Sequence, residues 1–191
     1  MELLRTFVAL ETPEIERKRF SAIQSRLKES DADVKWEPEN KFHVTVKFLG
    51  DTDEGKLPKI NSIIQSVSTS SAPFSLVFDS VGFFPNWQKP RVVWIGCSVH
   101  DNVASHIKTQ LDKSLVPLGF EMENKPFHPH ITLGRIKGEN GLKHLLSIAE
   151  NLTFEPSTIL MNELILMKSV LRPEGSEYFI LKNFSLGSPA Q

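Results

Sequence analysis

Two short stretches of the chain share one pattern: HVTV at residues 43–46 and HITL at residues 130–133, 87 positions apart. Each sets a His and a Thr two residues apart, with apolar residues in the alternate positions. Side chains alternate faces along a β-strand, so His43 and Thr45 share one face, as do His130 and Thr132. An imidazole with an ordinary pKa of about 6.5 exists in both protonation states near neutrality. Two imidazoles facing one gap can take a proton from an attacking oxygen and give one to a leaving oxygen. Two hydroxyls beside them can hold the non-bridging oxygens of a phosphodiester as charge develops. That set suits an in-line displacement at phosphorus and requires no metal. Either motif alone reads more simply as a half-buried strand histidine, with Thr present for its β-propensity. Both together, with all their apolar flanks, arise by chance roughly once in a thousand such sequences.

The elements that must position these residues repeat in order. Leu3–Leu10 reads as a strand. Thr12, Pro13 and Glu14 read as N-cap, first-turn proline and first-turn acid of a helix reaching about Ser30. Lys41–Leu49 alternates as a strand; Ile60, Ile63, Ile64 and Val67 mark a helix, and Phe74–Phe84 is β-rich. The order then recurs. Arg91–Val99 is a strand, and Asp101 caps a helix through Val103, Ile107, Leu111 and Leu115, with Gly119 placed to end it. The second His-Thr strand starts near Phe127, and Leu142, Leu145, Leu146 and Ala149 mark another helix. Two β-rich runs, Ile159–Leu171 and Tyr178–Leu186, close the chain, with Arg172–Gly175 as turn material between them. Phe7 precedes His43 by 36 residues and Val93 precedes His130 by 37, so the spacing predicts a duplicated unit with one extra final strand. The expected organisation is one α+β domain over 1–191, its lobe-forming repeats spanning about 1–85 and 91–191. Under an approximate two-fold axis, the polar faces of both His-Thr strands meet.

Composition narrows the possibilities. The chain is 40% hydrophobic and 24% charged, ordinary globular values for 191 residues. One cysteine, Cys97, excludes a disulfide framework and a Cys-based zinc site. A net charge of −1 excludes a surface built to grip long duplexes, so any nucleic-acid contact is local, at a chain end. No apolar run approaches the length of a membrane span, and the N-terminus lacks the form of a signal peptide. A cytoplasmic monomer without membrane contact is the expectation.

Further candidates surround the motifs. Alternation puts Lys41 and Lys47 on the face of His43, while Phe42, Val44, Val46 and Phe48 take the other. His128 shares the face of His130, and could join His43 and His130 as a metal ligand. Arg135 suits a phosphate, but alternation sends it to the opposite face unless a bulge redirects it. Trp36 and Trp87 are the favoured aromatics for stacking on a terminal base.

The motifs HVTVKFLG, GFFPNWQKPRVVWIG and HPHITLGR, as they stand here, resemble the 2H phosphoesterase superfamily and, within it, the RNA 2′,3′-cyclic phosphodiesterases once called 2′-5′ RNA ligases. The resemblance runs from RTFVAL to the last strands. It implies a bilobal α+β fold, with two antiparallel sheets, outer helices and a groove between the lobes. It implies cofactor-free hydrolysis of a terminal 2′,3′-cyclic phosphate to a 2′-phosphomonoester, and leaves open whether reversible 2′-5′ ligation goes with it. His43 would be the proton donor, His130 the proton acceptor, and Thr45 and Thr132 the phosphate ligands. Arg135, Lys47 and His128 would be further substrate contacts, and the partners RNA 3′ ends or small cyclic-phosphate nucleotides. Two other readings stand beside it: a metal-dependent phosphoesterase on His43, His128 and His130, and a module that binds RNA ends or nucleotides without turnover.

Overall fold

The computed structural model describes residues 3–98, 102–123, 125–173 and 175–187. In chain order the elements are β1 (Leu3–Glu11), α1 (Glu14–Lys28), β2 (Val34–Trp36), β3 (His43–Asp53), α2 (Leu57–Thr69), β4 (Phe74–Phe78) and β5 (Ser80–Phe84). There follow β6 (Val92–Gly96), α3 (Asn102–Leu115), β7 (His130–Ile136), α4 (Leu142–Glu150), β8 (Ser157–Met161), β9 (Glu163–Arg172) and β10 (Gly175–Ser185). The duplicated order read from the sequence is present, and β10 is the additional strand. The expected N-cap at Asp101 lies outside the described residues, as does Glu174 of the expected final turn. Pro13, not Thr12, stands at the N-cap of α1, where its carbonyl accepts from the amides of Glu16 and Arg17. Gly119 ends the 3-10 turn after α3 in a left-handed conformation.

The class is α+β with antiparallel sheets. The large sheet runs β10-β9-β1-β3-β7-β6-β5, with β2 pairing to β7 off that path; β4 and β8 form a separate two-stranded sheet. Apolar residues explain the layering. Val8, Leu10, Val44, Val46, Val93, Ile95, Ile131 and Leu133 from the strands join buried residues of all four helices in one cluster. The helices therefore cover one face of the sheet. Phe20, Ile23 and Leu27 of α1, then Ile60, Ile64 and Val67 of α2, recur at helical spacing and supply that cover. Burial of one such side chain contributes about 1.5–3 kcal/mol.

The two halves exchange strands. β5, from the first half, pairs with β6; β9, from the second, pairs with β1. The two sequence segments 1–85 and 91–191 are thus interleaved in the sheet, each lending one strand to a partner in the other. The lobes join where Val44 of β3 faces Ile131 of β7. Among the described residues, no helix is long and apolar enough to cross a membrane.

Candidate active site

The contact between β3 and β7 sets the site. Val44 and Ile131 are fully buried on the helix-covered face. Their neighbours His43, Thr45, His130 and Thr132 therefore project from the other face. Extending the antiparallel register by one residue puts His43 beside Thr132, and Thr45 beside His130. That register brings the two motif strands side by side, with both His-Thr pairs on the face away from the helices.

Both histidines are held alike. His43 Nδ1 donates to the Lys41 carbonyl at 2.7 Å, and His130 Nδ1 donates to the His128 carbonyl at 2.7 Å. A carbonyl only accepts, so Nδ1 carries the proton and Nε2 is left for chemistry. His43 Nε2 meets Thr45 Oγ1 at 3.1 Å, with the hydroxyl donating. Aromatic walls strip water from both rings. Phe7 lies 5.0 Å from His43 between ring centroids, and Tyr178 stands edge-on to it at 5.2 Å. Phe84 meets His130 edge-on at 4.7 Å, with Trp94 behind at 6.3 Å. A Cβ on Gly82 would fall 2.3 Å from the Trp94 ring, so only glycine admits this wall.

Burial lowers the His43 pKa to about 4, with the neighbouring His130 lowering it further and the Lys41 carbonyl opposing. His130 is also lowered, first by burial and then by His128 and Arg135, against its bond to the His128 carbonyl. Both imidazoles are therefore neutral at pH 7 while the groove is empty.

Two β-bulges revise the expected surroundings. In β3 the register against β1 shifts at Val46, since Val8 faces Lys47 while Ala9 faces Thr45. In β7 the register against β6 shifts at the equivalent Leu133, since Val93 faces Gly134 while Trp94 faces Thr132. An inserted residue reverses the alternation beyond it. Lys47 consequently turns to the helix face, which overturns its expected place beside His43. It is 2% exposed and bonds Asp112 at 2.5 Å and the Glu121 carbonyl at 2.8 Å. Phe48 comes to the groove face instead and is 61% exposed. Arg135, by the same shift, joins the face of Thr132. It stands 3.8 Å from Glu37, and its charge reaches both His130 and Tyr178. Gln24 of α1 secures the second bulge by donating to the Leu133 carbonyl at 2.8 Å and the Glu37 carbonyl at 2.7 Å.

His128 contributes its carbonyl to His130, while its ring packs 4.6 Å from Trp94. Among the described residues, no three His, Cys, Asp or Glu side chains are arranged to hold a metal ion, so the His43, His128 and His130 ligand set is not assembled. Trp36 lies partly buried with the core beneath Lys28, and Trp87 packs on Phe83, so neither ring is at the histidines. Sequence reasoning missed Phe7, Trp94, Tyr178, Glu37 and Gln24. Phe7 and Trp94 occupy equivalent places in the repeats, 36 residues before each motif histidine, and that spacing could have found them. Tyr178 belongs to the unduplicated strand and carried no such signal.

A paired His-Thr groove on a duplicated α+β sheet defines a two-histidine phosphoesterase. The chain belongs to the LigT-like phosphoesterase family, whose model, described as LigT like Phosphoesterase, matches residues 10–94 and again residues 98–178. It is 36% identical over 185 residues to the RNA 2′,3′-cyclic phosphodiesterase of Methanothermobacter thermautotrophicus, covering 96% of this chain and 99% of that one. It is 31% identical to the protein of the same name from Aquifex aeolicus, covering 98% of this chain and all of that one. The structure of TT0787 from Thermus thermophilus superposes with a TM-score of 0.77 at 26% identity, covering 96% and 98% of the two chains. Apo LigT from E. coli superposes at 0.78 with 21% identity, covering 99% and 100%, which speaks to the fold.

Proposed function

We propose that this protein hydrolyses the terminal 2′,3′-cyclic phosphate of RNA to a 2′-phosphomonoester, by paired imidazoles and without a metal. The observation that supports the reading is the pairing of Val44 in β3 with Ile131 in β7, from which strand alternation puts His43 and His130 on one face. Neutral His130 takes a proton from water as the oxygen forms its bond to phosphorus. His43 gives a proton to O3′ as the P–O3′ bond breaks, and the phosphate stays on O2′. Thr45 and Thr132 donate to the non-bridging oxygens, and Arg135 balances their charge.

The depressed His43 pKa bears on how the acid is loaded. A bound phosphodiester brings a negative charge next to Nε2, which favours imidazolium. The Thr45 hydroxyl, which donates to Nε2 in the empty groove, then turns to the phosphate. A ribose 5′-hydroxyl in the place of water would give a 2′-5′ linkage by the same proton transfers.

The test is an oligoribonucleotide ending in 2′,3′-cyclic phosphate, incubated with EDTA, with the product identified by phosphorus NMR. A 2′-phosphate is expected. His43→Ala and His130→Ala each lower turnover by about 10²–10⁴-fold, the usual contribution of a general acid or base. A 3′-phosphate product, or a near-normal rate in either variant, would overturn the assignment.

A further inference from the structure

The geometry points to a second phosphate subsite, formed by Lys35, Lys41 and the backbone at Gly175, that takes the RNA chain upstream of its reacting end. This rests on the reading that the groove accepts an RNA terminus. Lys35 faces Arg135 directly across the β2–β7 pair, so both cations share the groove face. Like charges placed so are unfavourable for folding. Glu37 answers Arg135 but, among the described residues, no carboxylate pairs with Lys35 or Lys41.

The tip of the β9–β10 hairpin approaches this pair. A Cβ on Gly175 would stand 3.4 Å from Lys35 Nζ and 3.7 Å from Lys41 Nζ. Gly175 has φ 141°, a conformation open to glycine, so the backbone there is bare. Two ammoniums thus stand beside one half-buried stretch of backbone. The place is on the path out of the groove. Tyr178, edge-on to His43, lies three residues further along β10, about 10 Å at strand rise. Lys41 also holds His43 through its carbonyl. A short run of sugar-phosphate backbone spans the distance. The near-neutral chain thus gathers two cations, without a carboxylate partner among the described residues, where an RNA tail would leave.

The subsite is tested by binding, apart from turnover. A fluorescent oligoribonucleotide ending in 2′-phosphate is titrated by anisotropy at several salt concentrations, with a mononucleoside 2′-phosphate as competitor. The oligonucleotide is expected to bind at least about tenfold tighter than the mononucleotide, and Lys35→Ala with Lys41→Ala to remove most of that difference. The slope of log affinity against log salt becomes shallower by about 0.7 when one phosphate no longer meets an ammonium. Lys35→Ala alone leaves mononucleotide affinity unchanged. Equal affinities for the two ligands, equal weakening of both by Lys35→Ala, or displacement by polyglutamate as effective as by RNA would overturn the subsite. If the cyclic-ended oligonucleotide is not hydrolysed, the proposed reaction falls while these affinities still decide the subsite.

Discussion

Both imidazoles meet the substrate uncharged, and the charge of the ligand decides what they become. Histidine NMR titrations of the free protein should show His43 titrating near pH 4, and His130 below 6.5. Inorganic phosphate should move both upward, because an anion stabilises the protonated ring. Titration of both near 6.5, unmoved by phosphate, would remove the coupling between binding and acid loading. Arg135 acts on the same balance. Arg135→Ala should lower kcat/KM for a cyclic phosphate about 10–100-fold, the loss of a hydrogen bond to a charged group. It should also raise the His130 pKa, since the guanidinium now holds it down. Arg135→Lys restores the charge but not the paired geometry, and recovers only part of the rate.

At the scale of elements, the bulges in β3 and β7 decide which side chains reach the groove, and each is tied to a helix. Gln24 anchors the β7 bulge. Lys47, just past the β3 bulge, reaches Asp112 of α3, which also takes Lys108 at 2.5 Å. Burial alone would raise the Asp112 carboxyl pKa, but Lys108 and Lys47 outweigh it and hold the group ionised. Asp112→Ala leaves Lys47 buried without its carboxylate and Lys108 with Glu123 alone at 3.3 Å, and should cost about 3–5 kcal/mol in urea unfolding. Lys47→Met keeps the volume and should retain turnover per folded molecule. A variant that folds normally and loses turnover would return Lys47 to the substrate. Period-two alternation assigns Lys47 inward and Arg135 outward, and the structure reverses both. A bulge depends on how a strand pairs with its neighbour, and a single strand's pattern carries no record of it.

For the whole molecule, burying His43 neutral links folding to pH. The unfolded imidazole, with a pKa near 6.5, binds a proton that the folded one refuses until about pH 4. Its contribution is therefore complete above 6.5 and is lost as pH falls toward 4, by at most about 3 kcal/mol. Urea midpoints measured at pH 7 and pH 4.5 should fall less in His43→Gln than in the unaltered chain. An identical fall in both would place the acid sensitivity elsewhere.

The duplication, the α+β class and the order of helices and strands were legible in the sequence, and so was the recurrence of the His-Thr pattern. These follow from periodicity and spacing, which are local properties of the chain. Tertiary structure alone decided that β5 and β9 cross to the other repeat, that Tyr178 of the unduplicated β10 walls His43, and that bulges exchange Lys47 for Phe48 and bring in Arg135. Each of those depends on which strands become neighbours, a competition among distant segments for the same backbone hydrogen bonds that no local pattern encodes.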